Sequence, residues 1–230
     1  MLVRDRMTSP VVTVAPDTAL SDALALMRER RIRRLPVQDG GALVGIVTWT
    51  DLMRALPSPA TTLSRWEIPA LLARAQVREV MTRHPRVIAP DAPLEEAATM
   101  MRDYKIGALP VVAGDALVGI ITESDVFDAF ITLLGARLPS YRITLDVDDG
   151  PSALPDITAA VRMLGLRLHS MASYPAARGR RRVVLRVERT LPIASVVDGL
   201  KEHGLAVVHA AADGTTLAEA VARYEPGSPQ

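Results

Sequence analysis

The sequence repeats itself at a fixed distance of 74 residues, and this repeat constrains the fold more than any other feature. The stretch ALVGIVTWTD at 42–51 returns as ALVGIITESD at 116–125. Six pairs of landmarks keep that distance: Met7 and Met81, Pro16 and Pro90, Met27 and Met101, Pro36 and Pro110, Gly45 and Gly119, Asp51 and Asp125. A constant offset without an insertion predicts two copies of one structural unit, at residues 1–58 and 77–136.

Each copy is predicted to contain the same series of elements. A short strand, VVTV or RVI, precedes a helix, and a strand containing Leu-Pro-Val or its like then leads to the ALVGI strand and a second helix. The unit is therefore β-α-β-β-α. The apolar face of the first helix is formed by Leu20, Ala23, Leu24 and Met27 in one copy and by Leu94, Ala97, Ala98 and Met101 in the other.

The pattern changes after residue 140. RITLDV alternates as a strand, a helix follows and ends at Gly165, two strands flank a hairpin, and a helix after Pro192 leads to a last strand. This order, β-α-β-β-α-β, is ferredoxin-like. The sequence thus predicts an α+β (α/β) protein with a linker containing a helix at 59–76, a ferredoxin-like domain at 140–212 and a C-terminal tail at 213–230.

Composition and charge exclude several classes of function. No apolar run approaches the roughly 20 residues that span a bilayer, and MLVRDRMTSP has no signal-peptide core, so we expect a cytoplasmic protein without a membrane partner. The absence of Cys excludes disulfides and thiolate catalysis. Because the net charge is only +1, we expect no nucleic-acid partner. The 4 His residues show no metal-ligand spacing. We therefore expect no metal and no required cofactor.

Both ALVGI strands end in Thr-x-x-Asp, and this motif allows two interpretations. In the first, Thr caps the following helix and Asp completes a capping box, which needs no ligand. In the second, the carboxylate accepts hydrogen bonds from two vicinal hydroxyls, such as those of ribose, while the helix N-terminus faces a phosphate. The two interpretations are compatible, so both stay open.

The repeated unit, with G-I-(V/I)-T-x-(T/S)-D after a proline-containing strand, resembles the cystathionine-β-synthase (CBS) domain over residues 3–56 and 77–134. Such domains work in pairs that usually sense adenine nucleotides or related adenosyl compounds. The resemblance implies that Asp51 and Asp125 hold ribose hydroxyls. It implies further ligand contacts from Thr48 and Thr122 near the ribose or phosphate, and from Ile32, Arg33, Arg34, Ile106, Gly107 and Ala108 around the adenine and phosphate.

The two copies differ where the resemblance places the phosphate. The first copy has Arg33 and Arg34, whereas the second has Gly107 and Ala108 at the matching positions. Because Arg suits bidentate contact with a phosphate, we expect Arg34 to be a phosphate ligand. Trp49 either covers a base or packs in the protein interior, and the sequence favours packing.

Residues 141–210 resemble an ACT domain, a family that often binds amino acids at interfaces between paired domains. The family usually has Pro-Gly in the first turn, where backbone approaches the ligand. This chain has Pro151 followed by Ser152, so the resemblance favours pairing of sheets over amino-acid binding. Two CBS units followed by an ACT-like unit together resemble the acetoin utilisation protein B family, inferred regulators of acetoin metabolism.

These observations predict a regulatory protein that binds AMP, ADP, ATP or another adenosyl compound, that forms a homodimer and that is not an enzyme. Any enzyme that it regulates is not identified by the sequence. One alternative is a purely structural dimerisation module with degenerate pockets. A second is an enzyme subunit that uses Asp148 and Asp149, although no base or nucleophile stands beside them in the sequence.

Overall fold

The structure, a computed structural model, describes residues 1–55 and 75–213. It divides into two compact units, Met1–Phe127 and Asp128–Gln230. The predicted linker helix and nearly all of the predicted C-terminal tail lie outside the described residues. Each unit is described below by itself.

The first unit contains one antiparallel sheet to which both copies of the repeat contribute a hairpin. The first hairpin is β1 (Arg34–Asp39) with β2 (Ala42–Thr48), and the second is β4 (Ala108–Ala113) with β5 (Ala116–Thr122). The sheet order is β1-β2-β5-β4, and the short strand β3 (Thr82–Arg83) also pairs with β2. The two copies therefore meet in the middle of the sheet, where Ala42 of β2 pairs with Ala116 of β5.

The two hairpins have the same register, which confirms that the copies share one fold. Pro36 lies opposite Ile46 in the first hairpin, and Pro110 lies opposite Ile120 in the second. Each hairpin also has an irregularity at the matching position, after Val37 in β1 and after Val111 in β4. A 74-residue shift of the sequence thus reproduces the pairing residue by residue.

The helices of the first unit follow the predicted apolar pattern. They are α1 (Leu20–Arg30), α2 (Trp49–Arg54), α3 (Val77–Val80), α4 (Leu94–Tyr104) and the beginning of α5 (Glu123–Leu133), which continues into the second unit. The buried positions of α1 and α4 are Leu20, Ala23, Leu24 and Met27, and Leu94, Ala97 and Met101. Ala98, also predicted on this face, is only partly buried.

The chain leaves the C-terminal ends of α1 and α4 in the same conformation. Arg31 and Lys105, directly after these helices, both adopt the left-handed conformation, with φ of 54° and 53°. The following amides close the helix ends, since Ile32 donates to the Met27 carbonyl and Ile106 donates to the Met101 carbonyl. The segments 31–34 and 105–108 therefore leave their helices in matching directions.

The chain segments that begin each copy are exchanged between the copies. Thr8, from the first copy, forms a bridge with Ile120 in β5, and β3, from the second copy, pairs with β2 of the first. Close packing accompanies the exchange, because a Cβ on Gly119 would lie 2.7 Å from the Met7 sulfur. On Gly45 it would lie 2.5 Å from the Met81 sulfur.

The first strand predicted in each copy is shorter than the sequence suggests. VVTV is reduced to a single bridge between Val14 and Val37, and RVI to one between Ile88 and Val111. Pro16 and Pro90 follow two residues after these bridges. Because proline has no N–H to donate and fixes its own φ, the extended pairing stops there.

The second unit confirms the predicted ferredoxin-like order. Its elements after α5 are β6 (Ser140–Asp148), α6 (Ala153–Met163), β7 (Leu168–Pro175), β8 (Arg180–Glu188), α7 (Ile193–Glu202) and β9 (Ala206–Asp213). The sheet order is β7-β8-β6-β9, and the strands pair antiparallel. Two helices that cross over between strands of one antiparallel sheet define a β-α-β-β-α-β fold.

Apolar side chains from β6 and β8 and from both helices form the core of the second unit. Ile143, Leu185, Ile157 and Leu200 are fully buried members of this core. Gly199 lies directly beneath Leu164, so close that a Cβ there would approach a Leu164 methyl to 2.5 Å. In neither unit do the described residues form a helix long and apolar enough to cross a membrane.

Candidate ligand-binding site

Both Thr-x-x-Asp motifs form a capping box. The Asp51 amide donates to the Thr48 hydroxyl oxygen at 3.2 Å, and Asp51 Oδ2 accepts from the Thr48 amide at 2.9 Å and from its hydroxyl at 2.6 Å. Thr122 and Asp125 make the same three contacts, at 3.4, 2.8 and 2.7 Å. The motif therefore fixes the position of each carboxylate at the end of its strand.

The cap leaves half of each carboxylate available. Oδ2 accepts the hydrogen bonds of the cap, and among the residues that the structure describes nothing donates to Oδ1 of Asp51 or Asp125. Both residues are only partly buried, and each lines a pocket. Each carboxylate is thus held rigidly while one oxygen can accept a hydrogen bond from a ligand.

The larger of the two pockets has a volume of about 1080 Å³ and walls from both copies. The first copy contributes residues of 31–34 and 48–51, and the second contributes residues within 82–86 and 104–108. This volume suits a ligand of nucleotide size, because small-molecule sites commonly occupy a few hundred to about a thousand Å³. The site exists only because the two copies meet.

The smaller pocket, of about 450 Å³, is its counterpart under the repeat. It is lined by residues 122–125 of the second copy and by 31–34 of the first. Thr8, from the exchanged segment, takes the place that Thr82 has in the large pocket. Each pocket therefore combines the Thr-x-x-Asp of one copy with the segment after the first helix of the other.

The structure brings every predicted binding residue to a pocket wall, but it groups them across the copies. The large pocket holds Thr48, Asp51, Ile106 and Ala108. The small pocket holds Thr122 and Asp125. Both pockets are lined by Ile32, Arg33 and Arg34.

Several residues of the large pocket were not predicted. Arg86 lies over the ring of Tyr104, with its guanidinium carbon 3.3 Å from the ring centre, and both residues line this pocket. His84 lines it too, although the spacing of the histidines gave no reason to place it there. Trp49, for which packing or a contact with a base was considered, packs against the apolar core of the first copy and also lines the large pocket. The Arg28 guanidinium carbon lies 5.4 Å from its ring centre.

Arg34 reaches across to the second copy. Its guanidinium packs directly against Gly107, where any Cβ would collide with Nη2. The Glu123 carboxylate lies on the same side, because Oε2 would be 2.9 Å from that Cβ. Gly107 thus provides the space that this arginine occupies, which explains why the second copy has no side chain at the position of Arg33.

The first turn of the second unit is closed by ion pairs. Arg180 donates to Asp148 at 2.7 Å, and Arg181 donates to Asp149 at 2.7 Å. Hydrogen bonding from Arg181 lowers the pKa of Asp149 below its ordinary value. The two carboxylates considered for an enzyme subunit are therefore paired with arginines. No group of acidic and histidine side chains suited to a metal ion occurs within 1–55 and 75–213.

Paired cavities at the junction of two repeated units, with fixed carboxylates and arginines, are the geometry expected of a ligand-binding module. Comparison with known families agrees with this class. The model of the CBS domain matches residues 3–58 and 77–132, and the model of the TTHA0829-like ACT domain matches residues 140–210. The chain therefore belongs to the CBS-domain family, as a tandem pair of CBS domains followed by an ACT domain.

Individual relatives share the CBS pair. A CBS domain-containing protein of Dictyostelium discoideum is 35% identical over 58% of this chain and 94% of its own length. The Bacillus subtilis CBS domain-containing protein YhcV is 32% identical over 54% of this chain and 81% of its own. By contrast, the chain matches only 22% of the inosine-5′-monophosphate dehydrogenase of Korarchaeum cryptofilum, at 39% identity.

Two solved structures match the same region. One is of a protein from Vibrio cholerae described as an acetoin utilization protein, AcuB, with 39% identity and a TM-score of 0.49 over 59% of this chain and 93% of that one. The other is CBSX2 in complex with AMP, with 34% identity and a TM-score of 0.48 over 56% of this chain and 96% of that one.

Proposed function

We propose that this protein is a sensor of adenine nucleotides or related adenosyl compounds. The observation that carries the proposal is the state of Asp51 and Asp125, each fixed by a cap through Oδ2 while Oδ1 has no hydrogen-bond donor among the described residues. A carboxylate oxygen at a pocket wall is a strong acceptor for a ribose hydroxyl, because hydrogen bonds to charged groups are among the stronger ones. Membership of the CBS family supports the same assignment.

Other residues of the two pockets complete a nucleotide site in this proposal. The partly buried apolar side chains of Ile32 and Ile106 offer contact surface for a base. The guanidinium groups of Arg33 and Arg34 offer bidentate hydrogen bonds to a phosphate. AMP, ADP and ATP all contain a ribose, an adenine base and a phosphate, so each is a candidate ligand.

Regulation would follow from where the pockets lie. Because each pocket has walls from both copies, a bound ligand contacts both and favours the packing of the pair that fits it best. A ligand shifts a conformational equilibrium only by its difference in affinity for the two states. We propose that such a shift is transmitted to a regulated partner, with the protein itself acting as a sensor and not as an enzyme.

A thermal unfolding experiment tests the sensor function. At a free AMP concentration of about ten times its dissociation constant, binding to the folded state alone stabilises it by about 1.4 kcal/mol. For a chain of this size that corresponds to an increase in melting temperature of roughly 3 to 6 °C. Differential scanning fluorimetry with adenosine, AMP, ADP and ATP measures the shift, and guanosine and inorganic phosphate serve as controls.

The same experiment decides between the sensor and the purely structural dimerisation module. A structural module with degenerate pockets gives the same melting temperature with every member of the panel. A shift with inorganic phosphate as large as that with AMP would show anion binding without recognition of a nucleoside, which also contradicts the proposal.

We further propose that the protein is a homodimer. Helix α5 exposes Phe127 and Phe130, three residues apart, and Leu134 follows directly after the helix; the three side chains are 66, 38 and 43% exposed. Exposed apolar side chains that lie close together can mark a surface that is covered by another protein molecule. Light scattering on the full chain should give twice the 24.8 kDa of one chain, and Phe127→Ser with Phe130→Ser should reduce that mass. A wild-type mass of a single chain would contradict the proposal.

A further inference from the structure

We propose that the two pockets bind different classes of ligand. The large pocket binds a nucleotide with a 5′-phosphate, and the small pocket binds a nucleoside without a phosphate. This inference rests on the proposed function and adds to it a division of ligand class between two pockets that the repeat makes otherwise equivalent. It follows from the charges that line each pocket and from two differences in sequence between the copies.

The large pocket is strongly cationic. Asp51 is the only acidic residue among the described residues that line it. Five cationic residues line the same pocket, namely Arg31, Arg33, Arg34, Arg86 and Lys105. Lys105 and Arg86 are exposed side chains that belong to this pocket and not to the small one. An anionic group on the ligand is therefore attracted from several sides.

The small pocket carries less positive charge, because it is lined by only three of these five residues, Arg31, Arg33 and Arg34. At the positions matching Lys105 and Arg86 under the repeat it has Arg31 and Val12, so one cation is replaced by an apolar side chain. It gains an acid as well, because Glu123 takes the place that Trp49 has in the large pocket. Two carboxylates, those of Glu123 and Asp125, thus line a cavity of less than half the volume.

Arg34 and Glu123 approach the same glycine but do not line the same pockets. Although Arg34 lines both, its guanidinium packs on Gly107, and Gly107 lines only the large pocket. The Glu123 carboxylate lies close to the same glycine, but Glu123 lines the small pocket and not the large one. Arg34 therefore contributes positive charge to both pockets, whereas Glu123 contributes negative charge to the small pocket alone.

The selectivity follows from the energy of like charges. A phosphate that entered the small pocket beside Thr122 would share the cavity with the Glu123 carboxylate, since both residues line that pocket. Near a protein surface, two such charges repel each other by an amount large enough to change a dissociation constant several-fold, even after screening by salt. An uncharged 5′ group meets no such repulsion and still offers its ribose to Asp125.

Calorimetric titration of the full chain with AMP and with adenosine tests the inference one pocket at a time. In an Asp51→Ala background the small pocket remains, and we expect adenosine to bind it at least about fivefold more tightly than AMP. Adding Glu123→Gln should improve AMP binding about five- to tenfold and leave adenosine unchanged. The matched control is Glu96→Gln, an exposed glutamate in the first turn of α4 that lines neither pocket.

The reciprocal experiment exchanges the two residues. In an Asp125→Ala background the large pocket remains, AMP should bind more tightly than adenosine, and Trp49→Glu should weaken AMP about five- to tenfold more than it weakens adenosine. Equal preference for AMP in both pockets, or an AMP affinity that Glu123→Gln does not change, overturns the inference while leaving the sensor function intact. A wild-type chain that binds neither adenosine nor AMP overturns the inference, and it overturns the sensor function as well if ADP and ATP also fail to bind.

Discussion

Replacing Asp51 by Ala is expected to weaken binding in the large pocket roughly 10- to 150-fold, and Asp125→Ala to weaken it equally in the small one. Each change removes a charge-assisted hydrogen bond to ribose, a contribution on the order of 1.5 to 3 kcal/mol. Because each carboxylate lines only one of the pockets, the loss should affect one of two binding events. Isothermal titration of each variant with AMP and with adenosine measures it.

The capping role of the same residues gives this prediction its control. Asp51 also holds the N-terminus of α2 through the Thr48 amide and hydroxyl, so the substitution should cost about 1 kcal/mol of stability whatever the ligand does. Asp39→Ala, at the exposed end of β1 and outside both pockets, is a matched carboxylate removal. If affinities stay unchanged in both pocket variants, Asp51 and Asp125 act as helix caps alone.

Enlarging Gly119 to Val is expected to lower the free energy of unfolding by about 1 to 3 kcal/mol, the usual cost of overpacking an interior. A Cβ at this position would lie 2.7 Å from the Met7 sulfur and 3.0 Å from the Thr8 carbonyl oxygen. Met7 can turn aside, but the carbonyl belongs to backbone that pairs with Ile120 and cannot move without breaking that pairing. Urea denaturation followed by circular dichroism measures the loss.

The repeat supplies a matching test in the other copy. Gly45→Val should cost a similar amount, because its Cβ would approach the Met81 sulfur to 2.5 Å and the Thr82 carbonyl oxygen to 3.1 Å. Gly150→Ala controls for the general effect of replacing a glycine, because a Cβ on Gly150 would meet no atom within 4 Å. Wild-type stability in both valine variants would show that the exchanged segments do not pack against the glycines as described.

Much of this fold could be predicted because the sequence contains two copies of the same structural unit. The offset from Gly45 to Gly119 and from Asp51 to Asp125 needed no structure to be seen, and it carried over to the register of both hairpins. Helix faces were predictable for the same reason, since 3.6-residue periodicity is a local property. The first strand of each copy was overestimated, because whether Val14 pairs with a partner over several residues depends on contacts distant in sequence.

The candidate site was predictable only in part. Motifs indicated the Thr-x-x-Asp pairs, yet the large pocket joins Asp51 of one copy to Ile106 of the other, a pairing that depends on how the copies pack. Arg86 and Tyr104 could not be found from the sequence, because their stacking brings together residues from two separate segments. The sequence also could not show that the cap uses Oδ2 of Asp51 and that Oδ1 accepts no hydrogen bond from the described residues.

The exchange of segments between the copies has a consequence for how such a chain could have arisen. Thr8 completes the wall beside Asp125, and Thr82 completes the wall beside Asp51, so a polypeptide with one copy has an unfinished sheet and an unfinished cavity. Two separate single-copy molecules could complete each other by the same reciprocal exchange. Duplication within one gene would then have converted an encounter between molecules into one within a chain, where the effective concentration of the partner no longer depends on expression. It would also have allowed the two halves to diverge, and the copies do differ between Trp49 and Glu123 and between Arg33 and Gly107.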